Sequence, residues 1–493
     1  MKRLAGMGLP VLVWLVGVST AWGGSALEHL RRAPRPAFAA GHGLPALTRW
    51  GWRLPVALQV ELCEHWGYAL EFGEVNAGSL GRLGEPGSVE ARLVALTAKD
   101  PQRYPMSVLV HRPFGRKDFV ASCPPETWSV EASTGRKVWS PAGPDAVFAR
   151  GAKIAADALA ALRKRIPLSV VLNGGEYALS VYGHHGKVWE ADPRVVRAKG
   201  KRSWYDYVSA AKARQEVPVT EACRRAAGAG ALYIYYYADG CSHRHSYGRW
   251  DVWAWDYRHM RAVTDLPSSS IYYKHYNSGW TGGRDMLSQA LNGVGRHIGF
   301  GENESYNWMN AGWTRKKMGS AALGDLDRYL GYLKCYYTAG MIGGVAGYFA
   351  YPKGGFGAKD VGERAPHWLD QMIALGRVHA LFSHLEAYLR AGDLLAGPEK
   401  HRWSKDQPAY ELPTGDGEAR VVARKLRGRD EWLITAWAAG GADRQVEVEV
   451  KGLGKVKVLA RTTGSVYRAK RKGDRCELVL VDADGRHPTA RMR

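Results

Sequence analysis

From about Leu54 the chain alternates two hydrophobic patterns. Short contiguous apolar runs are separated by longer stretches in which apolar positions recur every three or four residues. The short runs are 56–62 (VALQVEL), 69–75 (ALEFGEV), 106–111 (MSVLVH), 168–172 (LSVVL), 231–237 (ALYIYYY), 270–275 (SIYYKH), 296–299 (RHIG) and 345–350 (VAGYFA). Helical spacing occupies 88–98, 145–165, 203–227, 285–294, 323–339 and 366 to about 390. An insertion at 124–141 reads as a surface hairpin with Thr134-Gly135 at its turn. Strands alternating with helices predict parallel strands joined by crossovers, and such a sheet, covered on one side by helices, closes into a barrel. The count is seven strands, or eight when 69–75 is included.

After Gly397 the helical period stops and strict alternation begins, in 419–426, 432–437, 445–450, 455–460 and 477–481. Period-two runs broken by Gly-, Asp- and Arg-containing turns predict a small antiparallel β-sandwich. The start of the chain has a third pattern. Met1-Lys2-Arg3 is basic, 8–20 is apolar, and Ala21-Trp22-Gly23 supplies small residues, which together predict a signal peptide cleaved near Gly23. The apolar run falls short of the ~20 residues that span a bilayer, and no later stretch is long and uncharged enough. The organisation expected is therefore a signal peptide at 1–23, a leader at 24–53, a barrel at 54–396 and a sandwich at 397–493, in a secreted or periplasmic protein with no membrane span in its mature form.

Composition changes this picture in two places. The chain carries 19 Trp and 25 Tyr, the ring types that pack on sugar C–H faces as well as filling cores. Its formal charge of +22 is spread along the chain rather than gathered in a tail or a recognisable nucleic-acid module. A long-range positive field favours an anionic ligand, such as a sulfated or uronate-bearing glycan. A coding bias toward Arg accounts for the charge equally well. The cysteines (Cys63, Cys123, Cys223, Cys241, Cys335 and Cys476) form no CxxC pair and no disulfide scaffold. No cofactor is implied, and the GxSxG, P-loop and dinucleotide fingerprints are missing from the sequence.

In a barrel, reacting groups sit where strands end at the C-terminal face. Three acidic positions follow β-runs: Glu176 in Asn173-Gly-Gly-Glu-Tyr177, Asp239 in Tyr237-Ala-Asp-Gly240, and Glu302 or Glu304 in Phe300-Gly-Glu-Asn-Glu-Ser305. Glycosidic cleavage needs two carboxyl groups, one to protonate the leaving oxygen and one to attack the anomeric carbon or activate water. Tyr177, Asp239, His275, Tyr276, Trp280 and Trp308 are candidates to line a glycan cleft, and 305–308 reads as a sugar-binding loop. Asp239, His243 and His245 are an alternative metal-ligating set, although the segment lacks the spacing of a helical His pair. A non-catalytic glycan-binding protein would present the same acids and rings without turnover.

On these residues the chain resembles the clan A retaining glycoside hydrolases, which are (β/α)8 TIM barrels. The resemblance implies an acid/base on strand four, Glu176, and a nucleophile on strand seven, Glu302 or Glu304. Asn173 with Glu176 is similar to that clan's adjacent Asn-Glu pair, spread by two glycines, which implies a contact from Asn173 to the sugar 2-hydroxyl. The sandwich is similar to the C-terminal modules of agarase-, galactosidase- and cellulase-like members. The expected activity is hydrolysis of a polysaccharide or oligosaccharide.

Overall fold

The computed structural model describes residues 26–50, 54–110, 113–175, 177–236, 255–269, 300–310, 326–347, 358–395, 399–401, 410–412, 419–473 and 475–482. Among them, parallel strands run as β1 (Thr48–Trp50), β2 (Leu70–Glu74), β3 (Met106–Val110), β4 (Val170–Asn173), β5 (Leu232–Tyr235), β6 (Ser305–Asn310) and β7 (Met341–Gly347). Strands β2 to β5 pair in sequence order, and β7 lies between β1 and β6. Two links join these sheets. Leu47 bridges Tyr68 in parallel, tying β1 to β2. Segment 264–269 ties β5 to β6: Asp265 N–H donates to Tyr233 O at 2.8 Å, and Tyr306 and Trp308 N–H donate to Pro267 O and Ser269 O at 2.9 and 2.8 Å. The hydrogen-bonded path returns to its start, so the parallel sheet is wound into a ring.

Side-chain alternation follows from that closure. Val170, Leu172, Ile234, Tyr236, Tyr306, Trp308 and Val345 form a core inside the ring. Their neighbours Val108, Val110, Val171, Tyr233 and Tyr235 turn outward, against helices α3 (Asp145–Arg163) and α4 (Trp204–Ala227). The α3 stripe of Phe148, Ala152, Ala155, Leu159 and Leu162 is buried, as 3.6-residue spacing requires of a helix laid on a sheet.

One predicted strand is relocated. Residues 56–62 are not a strand: they begin helix α1 (Val56–Trp66). Pro55 precedes the first turn, Leu58, Leu62 and Trp66 bury one face, and Gly67 closes the helix at φ 76°. The first strand is instead the short Thr48–Trp50, so the count still makes Val170–Asn173 the fourth. The predicted strands 270–275 and 296–299 lie outside the described residues. After segment 264–269 the ring continues with Ser305–Asn310, whose polar alternation SYNWMN conceals a strand with Tyr306 and Trp308 turned into the ring. The predicted 305–308 loop is therefore strand, and Glu302 and Glu304 lie just before it.

The antiparallel module is present and begins earlier than Gly397. Strand β8 (Gly392–Leu394) pairs with β9 (Arg420–Leu426), followed in the sheet by β10 (Glu431–Trp437), β13 (Ser465–Lys472) and β14 (Arg475–Asp482). A hairpin of β11 (Arg444–Val450) and β12 (Gly454–Ala460) covers one face, with Val446, Val448, Val456 and Val458 meeting Val421, Ala423, Trp432 and Ile434. The opposite face, with Val422, Leu433, Trp437 and Val466, joins the core of helices α5 (Leu326–Thr338) and α6 (Ala358–Ser383). Arg424, fully buried, seals this junction by donating to the carbonyls of Thr338, Tyr388, Leu389, Gly392 and Asn303. Among the described residues no helix is long and apolar enough to cross a membrane. Within the same residues Cys63, Cys123, Cys223, Cys335 and Cys476 are free thiols.

Candidate functional site

The strands of the ring share one direction, so their C-terminal ends share one rim. Trp50 ends β1, Glu74 ends β2, Val110 ends β3, Asn173 ends β4 and Tyr236 follows β5. Beneath the rim three rings meet. Trp50 stacks on Tyr236 with centroids 6.0 Å apart, Trp308 lies 5.8 Å from Trp50, and Trp308 lies 4.4 Å from Tyr236. Tyr236 and Trp308 are buried, whereas Trp50 is half-buried, so Trp50 is the floor's outer ring. Trp308 was expected to touch substrate. Its full burial inside the ring makes it a support for Trp50 instead, with its indole Nε1 unpartnered among the described residues.

The turn after β4 abuts this floor. Gly175 has φ +67°, and a Cβ there would stand 2.5 Å from Tyr236 O and 3.2 Å from the Tyr235 ring, so both the conformation and the space demand glycine. Tyr235 OH donates to Gly175 O at 2.9 Å, and Gly175 N–H donates to Asn173 Oδ1 at 3.0 Å. Beyond it, Ala178 sits at φ 63°, an uncommon left-handed conformation for a residue with a side chain. The Tyr177 ring packs half-buried against the outer core, and its carbonyl accepts from Lys212 Nζ at 2.9 Å and Gln215 Nε2 at 3.3 Å.

Asn173 does not face the rim. Its amide donates to Tyr233 OH at 2.9 Å and to Glu216 Oε2 at 3.3 Å, among groups of the outer layer. The expected contact to a sugar hydroxyl is thereby corrected, because the strand period turns residue 173 away from the ring interior that Leu172 occupies. Burial pushes the Tyr233 phenol well above its ordinary value, so it remains a neutral partner for the amide.

Glu302 and Glu304 lie at the opposite end. They immediately precede β6, and parallel strands place a strand's first residues at the far face from the rim. Glu302 accepts from Tyr257 OH and lies 3.4 Å from Arg261 Nε. Glu304 Oε2 lies 2.6 Å from Arg390 Nη1, and Arg390 also donates to Gly43 O at 2.7 Å. Between the two acids, Asn303 Nδ2 donates to Gly392 O, the first residue of the sandwich. Glu302 ties the start of β6 to the 257–261 segment, and Glu304 ties it to the helix before the sandwich. That is not the placement expected of a nucleophile at a strand's C-terminal end.

Glu176, Asp239, His243, His245, His275, Tyr276 and Trp280 lie outside the described residues, as does the predicted signal peptide. Among the described residues no group of His, Cys, Asp and Glu could hold a metal ion. His184 and His185, on the helix Tyr182–Glu190, have their basicity lowered by burial. The polar groups that the sequence reading missed are Trp50 and the trio Lys212, Gln215 and Glu216. The trio's signal is present in the sequence as two charged residues and an amide interrupting the apolar face that Val208, Ala211 and Val219 define on α4.

No family model and no curated protein matches the chain. Similar solved structures include an α-amylase from Geobacillus thermoleovorans complexed with acarbose, at 12% identity over 92% of each chain with a TM-score of 0.42. A GH30 endoxylanase from Clostridium papyrosolvens overlaps 88% of this chain and 97% of its own at 9% identity, with a TM-score of 0.36. The glycoside hydrolase domain of PgaB from Bordetella bronchiseptica overlaps 75% of this chain and 95% of its own at 12% identity, with a TM-score of 0.35. The overlaps are loose. The ring rests on its own hydrogen bonds, and the site on its own contacts.

Proposed function

We propose that the ring is a (β/α)8 barrel and that the chain is a glycoside hydrolase reacting at the C-terminal rim. The observation that carries this reading is the juxtaposition of the β4 turn with the aromatic floor, where Gly175 abuts Tyr236 and Tyr236 underlies Trp50. A half-buried indole with a backed face suits the apolar face of a sugar, and the turn leads directly into Glu176.

Glu176 acts as the acid/base in this proposal. The second carboxyl group is taken to be Asp239, the first acidic residue in the chain after β5, the strand beside β4. In a retaining pair, with carboxyl groups ~5–5.5 Å apart, one carboxylate attacks the anomeric carbon and the other protonates the departing oxygen. The glycosyl–enzyme ester is then hydrolysed by water deprotonated by the same acid/base. The substrate is a polysaccharide or oligosaccharide, and the chain's positive charge favours an anionic or sulfated one.

The test is reducing-end release from amylose, xylan, agarose and λ-carrageenan by the native chain, Glu176→Gln and Asp239→Asn. Turnover by the native chain that falls by about 10²–10⁴-fold in each variant is the expected result. Full activity in either variant would remove that carboxyl group from the mechanism. Glycan binding with no turnover by the native chain would make this a binding protein on the same scaffold.

A further inference from the structure

Residues 26–47 begin with a helical stretch at 26–32 and lead directly into β1. They dock on α6 and on the helix Glu386–Ala391 that follows it: Ala39 N–H donates to Ser383 Oγ at 2.9 Å, and Gly43 N–H donates to Glu386 Oε2 at 2.7 Å. Histidine recurs along this seam. Four of the chain's 16 histidines meet there, His29 and His42 from the segment, His379 from α6 and His384 just beyond it. His29 Nε2 lies 2.9 Å from Asp370 Oδ1, and His384 Nε2 lies 2.9 Å from Ala37 O. Imidazole is the side chain that changes charge near neutral pH, so its concentration at one interface points to control by protons.

Two of the four sit where a second proton is unwelcome. His379 is buried, with Nδ1 2.9 Å from Tyr337 OH on α5, and burial pushes that phenol well above its ordinary value, so it stays neutral. The His42 ring stands edge-on to His379 with centroids 6.3 Å apart, and Phe38 stacks on His42 at 5.4 Å while meeting His379 at 6.0 Å. A Cβ at Gly67 would stand 2.8 Å from the Phe38 ring and 3.1 Å from that of His379, so the three rings are pressed against the end of α1. Of the charged groups around them, Glu386 favours a proton on His42 and His384 opposes it, but Glu386 already accepts from Gly43 N–H and from Arg390 Nε at 3.1 Å. On α1, Glu61 pairs with Arg31 and Arg35 of the segment, and His65 lies 3.9 Å from it. On α6, Asp370 faces His29, and Arg377 donates to Pro34 O at 3.4 Å. Burial lowers the basicity of His42 and pushes His379 down to about 3, where His42 adds to the effect.

We propose that residues 34–47 are a proton-released strap, docked on α6 while His42 and His379 are neutral and set free when both rings take up protons in mild acid. The sign follows from linkage. Docked, the two rings refuse a proton; released into water, they titrate near pH 6.5 like any exposed imidazole. Docking is therefore at full strength above about pH 6.5 and weakens as the pH falls below it. From His379 alone, the released population rises about twentyfold between pH 7 and pH 5. His29 has the opposite sign, because a proton there strengthens its contact with Asp370. The strap stands apart from the hydrolase reading, and its release needs no substrate.

The experiment is amide hydrogen exchange on the full chain between pH 5 and pH 7, read by mass spectrometry and expressed as protection factors, which cancel the intrinsic pH dependence of exchange. Segment 34–47 reads the strap, and 106–110 and 170–173, in β3 and β4, read the ring. His42→Gln, the double His42→Gln/His379→Gln and the control His29→Gln are measured beside the native chain, once thermal melts at pH 7 show that each is folded. In the native chain, protection of the strap is expected to fall about twentyfold or more from pH 7 to pH 5 while that of the ring holds. The fall should be smaller in His42→Gln, below about threefold in the double variant, and undiminished in His29→Gln. If the double variant does not fold, His42→Gln decides, and a fall as large as the native one overturns the proposal. So does strap protection that ignores pH, a fall that persists in a folded double variant, or a fall abolished by His29→Gln. A loss shared equally by 106–110 and 170–173 overturns it as well, since that is unfolding of the whole ring rather than release of the strap.

Discussion

Glu304 Oε2 stands 2.6 Å from Arg390 Nη1, at the base of the ring where β6 begins. This pairing assigns to architecture a carboxylate whose sequence context resembles a nucleophile's. Arg390 is held in turn by Gly43 O and Glu386, so the acid belongs to a network joining the N-terminal segment, the ring and the helix before the sandwich.

Glu304→Gln is therefore expected to leave glycan hydrolysis within about twofold of the native rate. Its cost is one partly exposed ion pair, about 0–1 kcal/mol. Glu302→Gln behaves alike. Parallel measurement of kcat and Tm checks both, and a loss of turnover of 10²-fold or more in either would return that glutamate to the rim.

Asn173→Ala separates a structural amide from a substrate ligand. Removing the group shared by Glu216 and Tyr233 is expected to destabilise the chain by about 1–3 kcal/mol, the cost of disrupting buried polar partners. Urea unfolding measures this. A contact to substrate would instead lower kcat/KM with stability unaltered.

Arg424 tests the junction between ring and sandwich. Arg424→Leu leaves several buried carbonyls without their donor, and about 3 kcal/mol or more of stability is expected to go with it. Limited proteolysis should then open the chain near Gly392. Native-like resistance together with an unaltered Tm would show that apolar contact alone holds the two parts.

His379 sets a pH dependence. It is buried with Nδ1 2.9 Å from Tyr337 OH, and burial pushes its pKa down to about 3, helped by the neighbouring His42. The unfolded chain, with an ordinary imidazole near pH 6.5, binds a proton that the folded chain refuses. Folding stability should then fall as pH drops from 6.5, by on the order of 3 kcal/mol at pH 4 from this group. Urea unfolding of the native chain and His379→Gln between pH 4 and 7 isolates the term. Equal slopes for the two would place the acid sensitivity elsewhere.

How much of this was legible beforehand depends on the kind of signal. The alternation of strands with helices, the hairpin around Thr134-Gly135 and the antiparallel module are written locally, because apolar spacing reports which face of an element is buried. Contiguous runs such as VVL and LYIY mark strands covered on both faces, and both are strands of the ring. Thr48–Trp50 and Ser305–Asn310 carry no such mark, since a three-residue strand has no period and a strand with Ser and Asn on alternate positions looks like a loop. The run 56–62 was misread for the complementary reason, that a short apolar stretch serves helix and strand equally until Pro55 and Gly67 are seen to frame it.

The sequence by itself thus determined the class of fold and the rank of the fourth strand, both consequences of local periodicity. Tertiary structure decided which end of a strand each acid occupies and which way Asn173 points. A shift of a few residues in a strand's bounds carries a side chain from the rim to the base, and a shift of one turns it from the ring's interior to the helices. Lys212 and Gln215 illustrate the same limit. In the sequence they are two polar residues on a helix some thirty-five positions from Tyr177; only the packing of that helix against the ring brings them to its carbonyl.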